Sequence, residues 1–219
     1  MPLTVEIWSD IVCPWCYLGK RRFEAALEAF EHRDDVTVMW RSFELDPDAP
    51  VNPEGTATER LAAKYGMSVE RAQTLHAEMT ARAAAEGLEY RFDIARGGNT
   101  FDAHRMIHLA ATYGHQAEAQ ERLMRAYFTE GEAISDRETL VRLISELGVD
   151  ETEAREALEQ GRFADDVRED EVLASRLGIQ GVPFFVLDRR YGVSGAQPPE
   201  TLLQALQHAW GEPAKLQVE

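Results

Sequence analysis

The two cysteines of this 219-residue chain stand three positions apart, as Cys13-Pro14-Trp15-Cys16. If the residues between them open a helix, the second sulfur falls on the turn after the first. A disulfide can then close with little rearrangement. A helix start presents unpaired N–H groups and partial positive charge, which favour a thiolate at Cys13. Pro14 suits the first helical position, where its missing N–H is no loss. Exchange proceeds by thiolate attack, so Cys13 is expected to attack and Cys16 to resolve. The same spacing can also be half of a zinc site, for which His104 and His108 (four apart on one helix face) are the other suitable pair. A scaffold that uses both sulfurs structurally is the non-enzymatic alternative.

The flanking sequence supplies the elements such a pair requires. Leu3 to Ser9 is rich in β-branched residues and reads as a strand leading into the motif. Phe23, Ala26, Leu27 and Phe30 follow with helical spacing, then a break at Arg33-Asp34-Asp35, then a second strand from Val36 to Phe43. Strand, helix and strand in this order predict a parallel βαβ unit. The run from Asp46 to Gly55 carries Pro47, Pro50 and Pro53 and marks a boundary. From Thr56 to Leu177 the pattern is helical, punctuated by Gly66, Gly87, Gly114 and Gly148. Ser135-Asp136-Arg137-Glu138 reads as a capping box, and Leu88 to Asp93 as a short extended stretch before a Gly97-Gly98 turn. Beyond Gly178, Phe184–Leu187 and Tyr191–Ser194 read as strands around an Asp188-Arg189-Arg190 turn. Pro198-Pro199 then opens a last helix with Leu202, Leu203, Leu206 and Trp210. Trp8 and Trp40 are expected in the core. His32, His76, His115 and His208 are expected in solvent, as are the helix faces of Asp165-Asp166 and Arg168-Glu169-Asp170-Glu171.

Composition narrows the function classes. Hydrophobic residues make up 44% and charged residues 28%, values of an ordinary globular protein. The net charge of −16 speaks against a nucleic-acid partner, which needs clustered Lys and Arg, and against an anionic membrane surface. No apolar run reaches membrane-spanning length. Residues 1–12 have no basic start and carry Glu6 and Asp10, unlike a secretory leader, so a cytoplasmic location is expected. That compartment keeps thiols reduced, which favours redox or metal chemistry over a structural staple. The sequence carries no signal for an oligomeric state.

A second motif, Gly181-Val182-Pro183-Phe184-Phe185, puts a proline at the first residue of a strand, where the sheet tolerates one. Strand, C-P-W-C, helix, strand, helical stretch, G-V-P, strand, strand and helix together resemble the thioredoxin superfamily, and within it the DsbA-like branch. Ser9 to Glu24, Asn99 to Arg105 and Gly178 to Pro183 are similar to its FrnE-like subgroup. The resemblance implies an α/β thioredoxin fold with an inserted all-helical domain. Residues 1–50 and 176–219 would form the thioredoxin-like domain and 51–175 the insertion. It implies a cis Val182–Pro183 bond facing the cysteines, with Val182 exposing backbone groups for an extended substrate. It also implies that Ser194-Gly195-Ala196 lies where relatives hold the glutathione carboxylate. Asn99 or Thr100 is expected to cap the helix that follows, and His104 and Arg105 either face the cysteines or, with the rest of this segment, serve capping and packing alone.

The resemblance implies a protein disulfide oxidoreductase without a bound cofactor. Its partners would be protein or low-molecular-weight disulfides and thiols, with glutathione as a candidate co-substrate. Secreted DsbA enzymes carry His where this chain has Trp15, so strong oxidising power is not implied, and reductive or redox-sensing work is expected. The same branch includes glutathione-dependent isomerases of the 2-hydroxychromene-2-carboxylate type. Those relatives have Ser at the position of Cys13 and lack a resolving cysteine. This chain keeps both sulfurs, which favours exchange.

Overall fold

The structure, a computed structural model, describes residues 2–211. Met1 and 212–219, where the expected C-terminal segment ends, lie outside the described residues. Four strands, β1 (Leu3–Ser9), β2 (Val36–Ser42), β3 (Phe184–Leu187) and β4 (Tyr191–Ser194), form one sheet in the order β2-β1-β3-β4. β1 and β2 run parallel, with Leu3 opposite Val36, and the crossover between them is helix α1 (Pro14–Glu28). β3 returns antiparallel to β1, and β4 antiparallel to β3. The β3–β4 turn places Asp188 and Arg189 at φ 49° and 53°, the left-handed pair that matches the twist of a tight hairpin.

β1 is one of the two inner strands and is buried on both faces. Leu3, Val5 and Ile7 pack against Phe23, Ala26 and Phe30 of α1 and against Leu202 and Leu206 of α9 (Pro199–Gly211). On the opposite face Trp8 meets Val186, Ala174 and Ile179. Between β2 and β3 come α2 (Ala57–Tyr65), α3 (Val69–Ala85), α4 (Phe101–Thr112), α5 (Gln116–Arg125), α6 (Arg137–Ser145), α7 (Glu151–Glu159) and α8 (Ala164–Arg176). α5 continues into a π turn over Ala126–Glu130. The α/β thioredoxin arrangement with a helical insertion is therefore the one observed. The apolar core of the insertion does not stop at its edge. Met106, Leu123 and Met124 belong to one cluster with Ile11, Cys13, Cys16, Tyr17 and Leu18. The cysteine motif thus sits on the seam between sheet and helices.

Several local expectations change. Leu88 to Asp93 forms no strand; Leu88 and Tyr90 turn inward, and Arg91 N–H bonds the Phe128 carbonyl at 2.7 Å. The α6 cap is Asp136, which accepts from Thr139 N–H at 2.9 Å. Ser135 instead donates to the Val51 carbonyl, and Glu138 pairs with Arg155. A reciprocal capping box does occur at Thr56 and Glu59. Asp170, expected in solvent, is buried and accepts from Arg41 (2.8 Å), Ser42 N–H (2.9 Å) and His108 (3.2 Å). Its own carbonyl accepts from the Trp8 indole at 2.9 Å, so one residue ties α8 to the sheet. His32 stacks on Trp210 and His76 on Phe92, because a flat ring covers apolar surface better than water does.

Candidate active site

Cys13 occupies the N-cap of α1 with extended backbone (φ −83°, ψ 113°), and Pro14 begins the helix. The Cys13 carbonyl accepts from Cys16 N–H at 3.0 Å and Tyr17 N–H at 3.3 Å, which closes the first turn around the motif. Both cysteines are free and buried, Cys13 at 4% and Cys16 at 1% exposure. Trp15, between them, is 44% exposed, with the Arg82 guanidinium 5.9 Å from its ring. Burial pushes the Cys16 thiol well above its usual range, and neighbouring Cys13 adds to the rise. The polar groups of the Asp10 backbone and the Ser9 side chain nearby offset part of it.

The loop before β3 completes one wall. The Val182–Pro183 bond is cis, and the Cys13 thiol donates to the Val182 carbonyl at 3.6 Å. Pro183 lies over Gly19 of α1: a Cβ on Gly19 would stand 2.8 Å from the Pro183 Cγ and 3.5 Å from the Ala196 Cβ. The Pro183 carbonyl accepts from Gly195 N–H at 2.8 Å, with Gly195 at φ 80°. Ser194 and Gly195 are therefore held to the proline loop through backbone, and the Ser194 carbonyl accepts from the Gln197 side chain.

Three further supports escaped the sequence reading. Tyr90 donates to the Pro14 carbonyl at 2.7 Å, directly between the cysteines, and stacks with Tyr17 and Phe128. Glu121 of α5 clasps α1 by accepting from Tyr17 (2.6 Å), Lys20 (2.6 Å) and Arg21 (2.8 Å). Gln120, its neighbour, donates to the Ser9 hydroxyl at 3.0 Å in the buried interior. Isolated polar residues on an irregular stretch and on a helix give no periodic signal that would have marked them.

The residues expected from the insertion divide. His104 is buried with Nε2 3.5 Å from Asp10 Oδ1, and the Asp10 carbonyl accepts from Cys13 N–H at 3.1 Å. His104 therefore reaches the turn that carries the motif. Asn99, one residue before the Thr100 N-cap of α4, accepts from Phe101 N–H at 2.9 Å and donates to the Pro47 carbonyl at 3.1 Å, which pins the loop after β2. Arg105 faces away from the cysteines, toward Asp102 and the carbonyls of Ala157, Leu158 and Arg162, because those orphan helix-end acceptors lie on its side of α4. His108 bonds Ser42 and Asp170. Among the described residues no three or more Cys, His, Asp or Glu side chains are grouped as a metal would require.

Known proteins match along most of the chain. A probable DsbA oxidoreductase of Streptomyces coelicolor superposes with a TM-score of 0.93 at 50% identity, covering 99% of this chain and 94% of that one. The cytosolic disulfide reductase DsbM of Pseudomonas aeruginosa, solved with glutathione, shares the fold at a TM-score of 0.66 and 21% identity, over 95% of this chain and all of that one. The uncharacterized protein YwbO of Bacillus subtilis (strain 168) is 28% identical over 199 residues, 85% of this chain and 88% of that one. Residues 4–207 match the DSBA-like thioredoxin domain, and the chain belongs to that family.

Proposed function

We propose that this protein catalyses thiol–disulfide exchange, with Cys13 as nucleophile and Cys16 as resolving thiol. The observation that carries the reading is the placement of both free sulfurs on the first turn of α1, with Cys13 against the Val182 carbonyl. The Cys13 thiolate attacks one sulfur of a substrate disulfide, and the other leaves as a thiolate. The Cys16 thiolate then attacks the Cys13 sulfur, closes the Cys13–Cys16 bond and expels the second substrate thiolate. The substrate disulfide gains two electrons and the protein dithiol loses them; the reverse sequence oxidises a dithiol.

The thioredoxin-like segments, 1–50 and 176–219, supply this chemistry, and the insertion 51–175 supplies the wall and the supports of the motif. Pro14 and Trp15 shape the turn. Val182 and Pro183 offer backbone to an extended substrate, and Ser194-Gly195 offers a place for a glutathione carboxylate. His104 and Asn99 act from behind, through Asp10 and the loop after β2. Substrates are protein or low-molecular-weight disulfides, with glutathione as thiol donor, in the cytoplasm. No helix among the described residues is long and apolar enough to cross a membrane. The second sulfur favours this reading over the isomerase type, which has no use for a resolving thiol.

A glutathione redox titration, read by alkylation and mass spectrometry, tests the proposal. A single two-electron transition between dithiol and Cys13–Cys16 disulfide is the expected result. Cysteines that stay unlinked at every glutathione ratio would overturn it.

A further inference from the structure

A cation without a carboxylate partner stands beside the motif. Helix α3 packs against the motif, for Met79 and Ala83 on its inner face are buried in the cluster that holds Cys13 and Cys16. Arg82, next to Ala83, stays exposed at the edge of that contact, and its guanidinium lies 5.9 Å from the ring of Trp15. Trp15 is itself 44% exposed between the two sulfurs. Attraction to the indole ring holds a guanidinium in place and leaves its N–H fork available to an anion. The carboxylates in reach along α3 belong to Glu78 and Glu86, four residues before and after. Glu86 is taken by Arg22 at 2.7 Å, and that arginine also donates to the Ala196 carbonyl at 2.7 Å. Among the described residues neither Glu78 nor any other carboxylate pairs with Arg82.

We propose that Arg82 is a substrate-binding residue that selects low-molecular-weight disulfides carrying a carboxylate near the sulfur. The guanidinium pairs with that carboxylate while the disulfide is presented to Cys13, two residues before Trp15. A large acidic partner is repelled over its whole surface by a protein of net charge −16. A small anion at the motif feels mainly the charges within a screening length of about 8 Å, where Arg82 adds to the partial positive charge at the start of α1. This role rests on the exchange reading above and gives the insertion a part in substrate choice; the bond changes are those already given.

Stopped-flow mixing of reduced protein with two aromatic disulfides tests this. Dithiobis(nitrobenzoate) carries a carboxylate on each ring, and dithiodipyridine is neutral at neutral pH. With either, attack by Cys13 releases one coloured thiolate, and closure by Cys16 releases a second. The readout is the ratio of the two first-release rates, anionic over neutral, in which any change common to both cancels. An exposed ion pair is worth a few-fold at most, so Arg82→Gln should lower the ratio roughly threefold. Arg82→Glu, which replaces attraction by repulsion, should lower it roughly tenfold. At about 1 M salt, where the screening length shrinks to about 3 Å, the wild-type and Arg82→Gln ratios should converge. A ratio unchanged in both variants, lowered equally by Gln and Glu, or still different at high salt overturns the role of Arg82 while leaving exchange intact. A wild-type protein that releases no second thiolate from either disulfide overturns the exchange reading itself, and the role of Arg82 with it.

Discussion

The Cys13 thiol and the Val182 carbonyl meet at 3.6 Å across 169 positions of sequence, so the proposed nucleophile and the backbone proposed to receive a substrate are in direct contact. Ionisation of Cys13 removes the donor of this bond. In the proposed reaction this would leave the carbonyl to an N–H of an incoming chain, so that attack and docking would meet at one atom.

The two sulfurs are expected to separate cleanly by substitution. Cys13→Ser abolishes exchange, because a hydroxyl at this position is not ionised near neutral pH. Cys16→Ser leaves the first attack intact and strands the product as a mixed disulfide at Cys13. Intact-protein mass spectrometry after incubation with oxidised glutathione checks both. One glutathione adduct on Cys16→Ser and none on Cys13→Ser is the expected pattern, and an adduct on Cys13→Ser would contradict the assignment.

Gly19 is the floor on which Pro183 rests. Since an added Cβ would come within 2.8 Å of the proline ring, Gly19→Ala must push the 182–183 loop away from α1. Overpacking of this kind costs about 1–3 kcal/mol. The expected outcome is a lowered denaturation midpoint together with a slower first attack in the aromatic-disulfide assay. A variant with wild-type stability and rate would show that the loop yields freely.

The pattern of what the sequence revealed follows from the range of the interactions. The β1–α1–β2 unit was legible because its signals are local: β-branched strands, helical spacing of Phe23 and Phe30, and proline at the helix start. The cysteine pair and the Val182–Pro183 loop were legible as motifs, and the family resemblance placed them together. Asp170 was misread as a solvated charge because its partners, Arg41, Ser42 and His108, lie far away in sequence. Gln120, Tyr90 and Asp10 act through single long-range hydrogen bonds, which leave no trace in periodicity. For Arg105 the packing alternative is the one observed: it sits in a stretch that resembles the FrnE-like subgroup, and it serves helix ends.

Because burial raises the Cys16 thiol well above its ordinary value, few molecules carry the Cys16 thiolate at neutral pH. The rate of ring closure should therefore climb with pH and continue to climb above roughly pH 9.5, where an unperturbed cysteine of pKa about 8.5 would already have levelled off. Closure is read from the second thiolate release at a series of pH values. A plateau already reached near neutrality would mean that Cys16 is not the attacking group in that step.

Asp170 offers a test of how the insertion is fastened to the sheet. Burial alone would raise its carboxyl, but the His108 hydrogen bond, the Ser42 N–H and the Arg41 charge prevail and hold it below the ordinary 3.8. A carboxyl depressed in the folded state stabilises the protein fully above its unfolded value and loses that contribution as pH falls through the lower folded value. Asp170→Asn keeps the shape but leaves the Arg41 guanidinium with Glu6 as its remaining carboxylate. Removing one partner of a buried pair costs roughly 3 kcal/mol, so the variant should unfold at clearly lower denaturant concentration at pH 7. The gap between wild type and variant should begin to narrow as pH drops below about 3.8, where the Asp170 carboxyl of the unfolded chain takes up its proton while the folded one is still charged. Denaturant titrations of both proteins from pH 7 to pH 3 measure this directly. A gap that stays constant over the whole range would mean that Asp170 contributes by shape alone and that its charge does not hold α8 against β2.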